Sequence, residues 1–480
     1  MPVHCRPRLI PFLLVTLTST LSAYAEETRS TLTDQQSVAV TIYNENLALI
    51  KDQRKIQLGS GQSTLAFRDV SAQMRPETAL LRSLSSPGKL SVIEQNFDFD
   101  LLTPQKLLEK FVGRSVGVIK TNPATGAETT EQAQVLAANN GVVLKMGDRI
   151  ETGIPGRIVY GDVPANLRDR PTLVMSLNNA GAAQQDVELS YLSGGLGWKA
   201  DYVAELNAAD DRMDLSGWVT LTNTSGASYR NAKLQLVAGD VNRVQDERHL
   251  VRSMAKMEMA AADAPRMAEE SLLEYHLYTL DRPTTVAENQ TKQVALLSAT
   301  NVPVRKELLL RGADYYYQSS YGELGQKMKV GVFVEFDNKE SARLGMPLPR
   351  GIIRVYKRDG AGNAQFVGED SVDHTPKNEV VRLKLGEAFD VTADKKQTDF
   401  KKLPNPGKGT TMFESAYEVV LKNAKKEAVT VTVQEPIPAD WKMLKSSHAH
   451  EKAASNTAVW RIDIPAEGKA TLTYRVQVKY

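Results

Sequence analysis

The sequence predicts a mainly β protein: several antiparallel sandwiches of immunoglobulin type, an inserted small SH3-like barrel and a flexible Met-rich insertion. Three observations predict it. From Val38 onward apolar and polar residues alternate through much of the chain, which buries one face of each strand. From residue 172 a motif recurs in which an alternating strand ends at Asn, a polar turn follows and a second strand begins. Residues 103–152 break the texture with one helical pattern followed by several short strands. Of the 480 residues, 42% are hydrophobic and 24% charged. That balance excludes a disordered, collagen-like or multi-spanning membrane chain, and the length allows roughly two to four domains.

Residues 1–25 read as a cleaved signal peptide. Arg6 and Arg8 supply the positive end, residues 9–21 the apolar stretch, and Ala23-Tyr24-Ala25 the small-x-small cleavage pattern. The stretch is too short and too polar to span a bilayer, which takes about 20 apolar residues. Cleavage after Ala25 predicts a periplasmic or secreted protein, with no transmembrane segment in the mature chain. It also removes two positive charges, leaving 57 of each sign. No basic field remains for phosphate backbones, so nucleic acid is excluded as a partner. The single Cys, Cys5, lies within the signal. The mature chain therefore has no disulfide, Cys-based zinc site or Cys nucleophile.

Residues 26–36 are polar and read as a flexible lead. An N-terminal β region covers 37–102, with strands at 38–43, 47–51, 55–58 and 63–67 separated by Asn44-Glu45-Asn46 and Gly59-Ser60-Gly61. The helix-plus-barrel insertion covers 103–152. Thr103 suits the N-cap and Pro104 the first helical position; Leu107, Leu108 and Phe111 share a face, and Gly113 ends the helix. A sandwich region follows at 153–248. Its strands meet at Asn178-Asn179 and again at Asn223; later copies of the motif turn at Asn338 and Asn423. Residues 249–295 read as a linker. Within them Met254, Met257 and Met259, with Met267 and Pro265, give 252–270 the composition of an adaptable surface loop. A β domain covers 296–402 and a C-terminal immunoglobulin-like sandwich 403–480. The last strand of that sandwich alternates strictly from Ala470 to Val478.

Several stretches resemble the bacterial proteins grouped as domain of unknown function 4139. They include Tyr191-Leu192-Ser193-Gly194-Gly195-Leu196-Gly197-Trp198-Lys199-Ala200-Asp201-Tyr202 and Leu215-Ser216-Gly217-Trp218-Val219-Thr220-Leu221-Thr222-Asn223. Asn231 to Val241, Leu348-Pro349-Arg350-Gly351, Gly368-Glu369-Asp370 and His374-Thr375-Pro376 continue the likeness. The resemblance implies a secreted, β-rich architecture and supplies no activity. Proteins of the wider group are associated by name with inhibition of mucoid colony growth. Those carry an N-terminal domain and coiled coil that have no counterpart in this sequence.

The densest group of possible metal ligands is Glu369, Asp370, Asp373 and His374. A hydrolytic metal needs three or more converging ligands and an open position. Neighbouring strand residues point to opposite faces, so a loop would have to bring these together. His448 and His450 form an H-x-H pair in a polar hairpin. Gly194-Gly195-Leu196-Gly197-Trp198-Lys199 lacks the phosphate-loop order and reads as a tight turn before a core Trp. Asp98 and Asp100 share a strand face but suit the protection of an edge better than catalysis. Tyr315, Tyr316, Tyr317 and Tyr321 are the densest aromatic group. Read as a strand, they place Tyr315 and Tyr317 on one face, available to a sugar or a peptide.

No compact catalytic constellation and no cofactor motif occurs. The sequence therefore predicts a non-catalytic binding or scaffold protein of the cell envelope, with an envelope protein or a glycan as partner. The alternative is a metal-assisted hydrolase using Glu369, Asp370, Asp373 and His374.

Overall fold

A computed structural model describes residues 27–44, 46–139, 141–154, 156–164, 167–239, 267–404 and 411–480. The residues read as a signal peptide and residues 252–266 of the Met-rich segment lie outside the described residues. The protein is mainly β with several sheets, as expected. It divides into two units: Met1–Gln36 with Asp52–Ala72 and Pro76–Ser190, and Ser37–Lys51 with Gln73–Arg75 and Tyr191–Tyr480.

In the first unit, Gly61–Arg68 pairs antiparallel with Thr172–Asn179, which pairs in turn with Leu90–Asp98. Residues read as a flexible lead are ordered by local chemistry. Thr28–Ser30 runs parallel to Leu65–Phe67, and a short turn follows at Leu32–Asp34. Thr33 N–H donates to Thr31 Oγ1, and Thr31 N–H donates to Asp34 Oδ2 at 2.9 Å, a reciprocal cap. Arg54 is fully buried. It pairs with Asp52 at 2.8 Å, donates to the carbonyls of Ser30 and Arg68, and lies 3.7 Å from the centre of the Phe67 ring.

The inserted segment has the expected helix, Pro104–Lys110, capped where Lys106 N–H donates to Thr103 Oγ1 at 3.1 Å. Five antiparallel strands follow in the order Arg149–Glu151, Val143–Met146, Glu128–Ala137, Ser115–Thr121, Arg157–Val159. Leu108 and Phe111 pack on Val116, Val118, Val135 and Leu144. The strand path has two open ends, so among the described residues the expected barrel is an open sheet rather than a closed one.

In the second unit, Ala39–Tyr43 runs parallel to Lys233–Val237. A larger sheet orders Ala364–Val372, Gly351–Arg358, Leu196–Leu206, Arg212–Asn223, Gln290–Arg311, Glu323–Asp337, Val380–Leu403, Met412–Asn423, Lys469–Lys479 and Asp440–Ser446. Two strands are unusually long. The first half of Gln290–Arg311 pairs with Arg212–Asn223 and its second half with Glu323–Asp337. Val380–Leu403 passes from Glu323–Asp337 to Met412–Asn423 in the same way. Each thus carries the sheet from one packed region to the next. Val429–Pro436 joins Thr457–Ile464 and the end of Gln290–Arg311. Side chains from this group and from Met412–Asn423, Lys469–Lys479 and Asp440–Ser446 share one core around Trp460, Tyr417 and Tyr474. Residues 267–295, read as linker, carry the strands Ala268–Leu272, Tyr275–Thr279 and Thr284–Val286. These strands are too short for a clear alternation.

The recurring Asn has a physical basis. Asn179, Asn223, Asn338 and Asn423 are all buried. The side-chain oxygen of each accepts a backbone N–H from the turn that follows, from Gly181, Ser225, Gly345 and Lys425 respectively. Each amide nitrogen donates to a carbonyl later in its own turn and to one from a distant segment, as Asn423 does to Glu427 at 2.8 Å and Pro465 at 3.0 Å. At Asn179, Asn223 and Asn423 the bond is to the backbone two residues on, the contact by which a short amide fixes a turn, and at Asn338 it spans seven residues.

Candidate functional site

The structure does not bring the four possible metal ligands together. Glu369 and Asp370 are neighbours on Ala364–Val372 and so face opposite ways. Glu369 pairs with Arg354 at 3.2 Å, and Arg354 also holds the buried Asp201 at 3.1 Å. Asp370 accepts the backbone N–H groups of Ser371 and Lys384. Asp373 is exposed and 3.5 Å from Arg350. His374 accepts the Arg350 backbone N–H at Nδ1 and lies 3.3 Å from Asn44 through Nε2. Among the described residues no three His, Cys, Asp or Glu side chains converge as metal ligands. His448 contacts Ser447, while the His450 ring lies near Trp441 and Trp460. Asp98 pairs with Arg168, and Asp100 with Lys110.

The GGLGW segment is a turn into the strand Leu196–Leu206. Gly195 has φ +77°, and a Cβ there would meet Ser225 Cα at 2.5 Å. Its N–H donates to Asn46 Oδ1, and Trp198 is buried.

The tyrosine group is not a strand. Asp314–Tyr317 is a 3-10 turn, which separates the four rings differently from strand alternation. Tyr315 is half exposed and meets Tyr321 edge-on at 5.7 Å. Tyr316 and Tyr317 turn inward. There they surround a pair that sequence reading misses: Lys395 and Glu435, 2.6 Å apart, with both side chains fully buried. Tyr317 donates to Glu435 Oε2 at 2.9 Å, and its oxygen is 3.0 Å from that of Tyr474. Lys395 Nζ lies 4.3 Å from the centre of the Tyr316 ring and 5.2 Å from that of Tyr417. The Lys395–Glu435 contact is off the line of a hydrogen bond, since among the described residues Nζ has no well-directed acceptor and Glu435 Oε1 no partner. Gly312 makes room, because a Cβ there would sit 2.1 Å from Glu435 Oε2. The sequence does carry a signal for this pair. Val391, Ala393, Lys395 and Gln397 alternate inward, as do Val431, Val433, Glu435 and Ile437. A charge in such a register is a buried charge.

Burial pushes the Lys395 ammonium below its ordinary value, against the opposing pull of Glu435. Burial also raises the phenols, Tyr316 and Tyr417 each to about 12 from 10.0. A raised phenol keeps its proton in the fold while the unfolded chain releases it. This contribution to stability is full below pH 10.0 and is lost as pH rises through about 12. Phenolate absorbance and Trp fluorescence should therefore change together in that interval. Phenols that all titrate near 10.0 with the core intact would contradict this.

A second feature lies on the same unit. An open cleft of about 530 Å³ is lined by Leu309, Arg311, Lys329, Gly331, Phe333, Arg382, Lys384, Glu387 and Gln434. The strand register builds it. Leu309 pairs with Gly331, Gly331 with Glu387, Phe333 with Lys384, and Arg311 with Gln434. Arg382 lies over the Phe333 ring at 4.3 Å and is neutralised by Glu307 and Glu335. Arg311, Lys329 and Lys384 are exposed, and among the described residues no carboxylate pairs with any of their side chains. Three unneutralised cations against the one carboxylate of Glu387 leave the cleft positive.

Residues 187–480 match the family model described as domain of unknown function (DUF4139). The chain belongs to this family. The match contains the cleft, the buried Lys395–Glu435 pair and all four tyrosines around it, whereas the inserted helix and five-stranded sheet lie outside it. No curated protein matches the chain. The resemblance read from the sequence thus stands at the level of family, and the family description carries no activity.

Proposed function

We propose that this protein is a secreted or periplasmic binding protein of the cell envelope, without catalytic activity, and that it holds an anionic glycan segment in the cleft of Arg311, Lys329 and Lys384. One observation carries the reading: three cations that pair with no carboxylate among the described residues, placed on three neighbouring strands around one open cleft. Lys384 pairs opposite Phe333, four residues along the strand from Lys329, and neighbouring strands lie about 4.8 Å apart, so the charges are spread over the cleft rather than gathered at one point, which suits an extended polyanion better than a single small anion. The positive end, apolar stretch and Ala23-Tyr24-Ala25 of the first 25 residues support export. Among the described residues no helix is long and apolar enough to cross a membrane.

The test uses the mature chain on immobilised polygalacturonate, eluted with a salt gradient. Wild type is expected to be retained at low salt and released as screening increases. A charge-assisted hydrogen bond is worth about 1.5–3 kcal/mol, so Arg311→Ala with Lys384→Ala should weaken binding at least tenfold. Equal retention of wild type and the double variant would overturn the assignment of the cleft. Cell fractionation tests location separately; a chain found in the cytoplasm with its first 25 residues intact would overturn the envelope reading.

A further inference from the structure

We infer that Lys395 and Glu435 are a self-modification site, at which the Lys395 amine and the Glu435 carboxyl condense to an amide that links Val380–Leu403 covalently to Val429–Pro436. The inference stands apart from the cleft and from any ligand.

Four features of the geometry support it. Both side chains are fully buried and in contact at 2.6 Å, so the reacting groups are held together without solvent, the arrangement in which intramolecular reactions gain most. The amine has no well-directed hydrogen bond, and Glu435 Oε1 has no partner; neither is held back by an interaction that reaction would break. The other carboxylate oxygen, Oε2, accepts the Tyr317 O–H, itself 3.0 Å from the Tyr474 hydroxyl. A donor at that oxygen can stabilise the charge that gathers there when the carbonyl is attacked. Finally, the backbone at Gly312 seats the carboxylate where no Cβ would fit. Burial also lowers the Lys395 pKa, which favours the neutral, nucleophilic amine.

The step balances with no other reactant. A proton passes from the ammonium to Oε1, leaving a neutral amine beside a carboxylic acid. The nitrogen lone pair attacks Glu435 Cδ, forming the N–C bond, while the Tyr317 O–H holds Oε2. A second proton passes from nitrogen to Oε1, the Cδ–Oε1 bond breaks and water leaves. The amide keeps one N–H and the Oε2 carbonyl. Two buried charges and the partnerless oxygen are removed, and such charges are costly to hold in an interior.

Intact-mass measurement of the purified full chain tests this directly. Wild type is expected to be lighter than its sequence by one water, and digestion should release the peptides containing Lys395 and Glu435 as one linked species. The linked peptide decides, because cyclisation of an N-terminal Glu26 would lose the same water. Lys395→Arg keeps the charge but should show no link, and Glu435→Gln should lose one ammonia in place of water. Wild-type peptides released separately at their full masses would overturn the inference, whether or not either variant folds.

Discussion

Arg54→Met is expected to destabilise the first unit by about 3–5 kcal/mol, the cost of removing one partner from a buried ion pair. Arg54 has no exposed surface and satisfies three groups at once: the Asp52 carboxylate and the carbonyls of Ser30 and Arg68. Methionine restores much of the volume over Phe67 but no donor. Asp52, itself buried, keeps only the Gln35 amide among its side-chain partners. The Ser30 carbonyl belongs to the parallel strand at the start of the described chain, so that strand should loosen first. Hydrogen exchange at 28–30 and 65–67, read with the urea midpoint, measures both effects. A variant whose midpoint lies within about 0.5 kcal/mol of wild type, the range of ordinary surface substitutions, would contradict the role given to Arg54.

Lys395→Met should produce a loss of similar size in the second unit. It leaves Glu435 buried with Tyr317 as its one hydrogen-bond donor. Replacing both members, as in Lys395→Met with Glu435→Leu, should recover the part of that loss that comes from the unpaired Glu435 charge, since a buried pair exchanged for apolar side chains of like volume is often near neutral, while the part that comes from the missing amide link stays. The two substitutions are in contact and therefore non-additive. Trp441 and Trp460 belong to the same core, so their fluorescence reports this unfolding. A double variant as unstable as the sum of the two single ones would show that the pair acts by packing alone.

Much of the fold is legible because local rules and the tertiary structure agree. Thr103 and Pro104 start a helix where capping chemistry says they should, and strict alternation from Ala470 to Val478 is a strand with one buried face. The four Asn turns are legible because one residue type performs one backbone task each time. Tyr is common in strands, whereas Asp314–Tyr317 is wound by its tertiary setting, with Gly312 against Glu435 and Tyr317 bonded to the same carboxylate. Short-range pattern contains no trace of that contact. The cleft is less legible still. Arg311, Lys329 and Lys384 lie on three strands, and each alone reads as an ordinary solvated cation. Only the register brings them round one cavity and leaves them without carboxylates. The Lys395–Glu435 pair is intermediate: alternation marks each residue as buried, and only the fold shows that they meet.

Calorimetric titration of the mature chain with oligogalacturonate, set beside a neutral oligosaccharide of equal length, tests the proposed function most directly. Binding of the acidic chain alone is expected, weakened as salt rises from about 0.01 M to 0.15 M and the Debye length shrinks from about 30 Å to 8 Å. Lys329→Glu should abolish the heat. Equal binding of the two oligosaccharides, or none of the acidic one at the lower salt, would contradict that function.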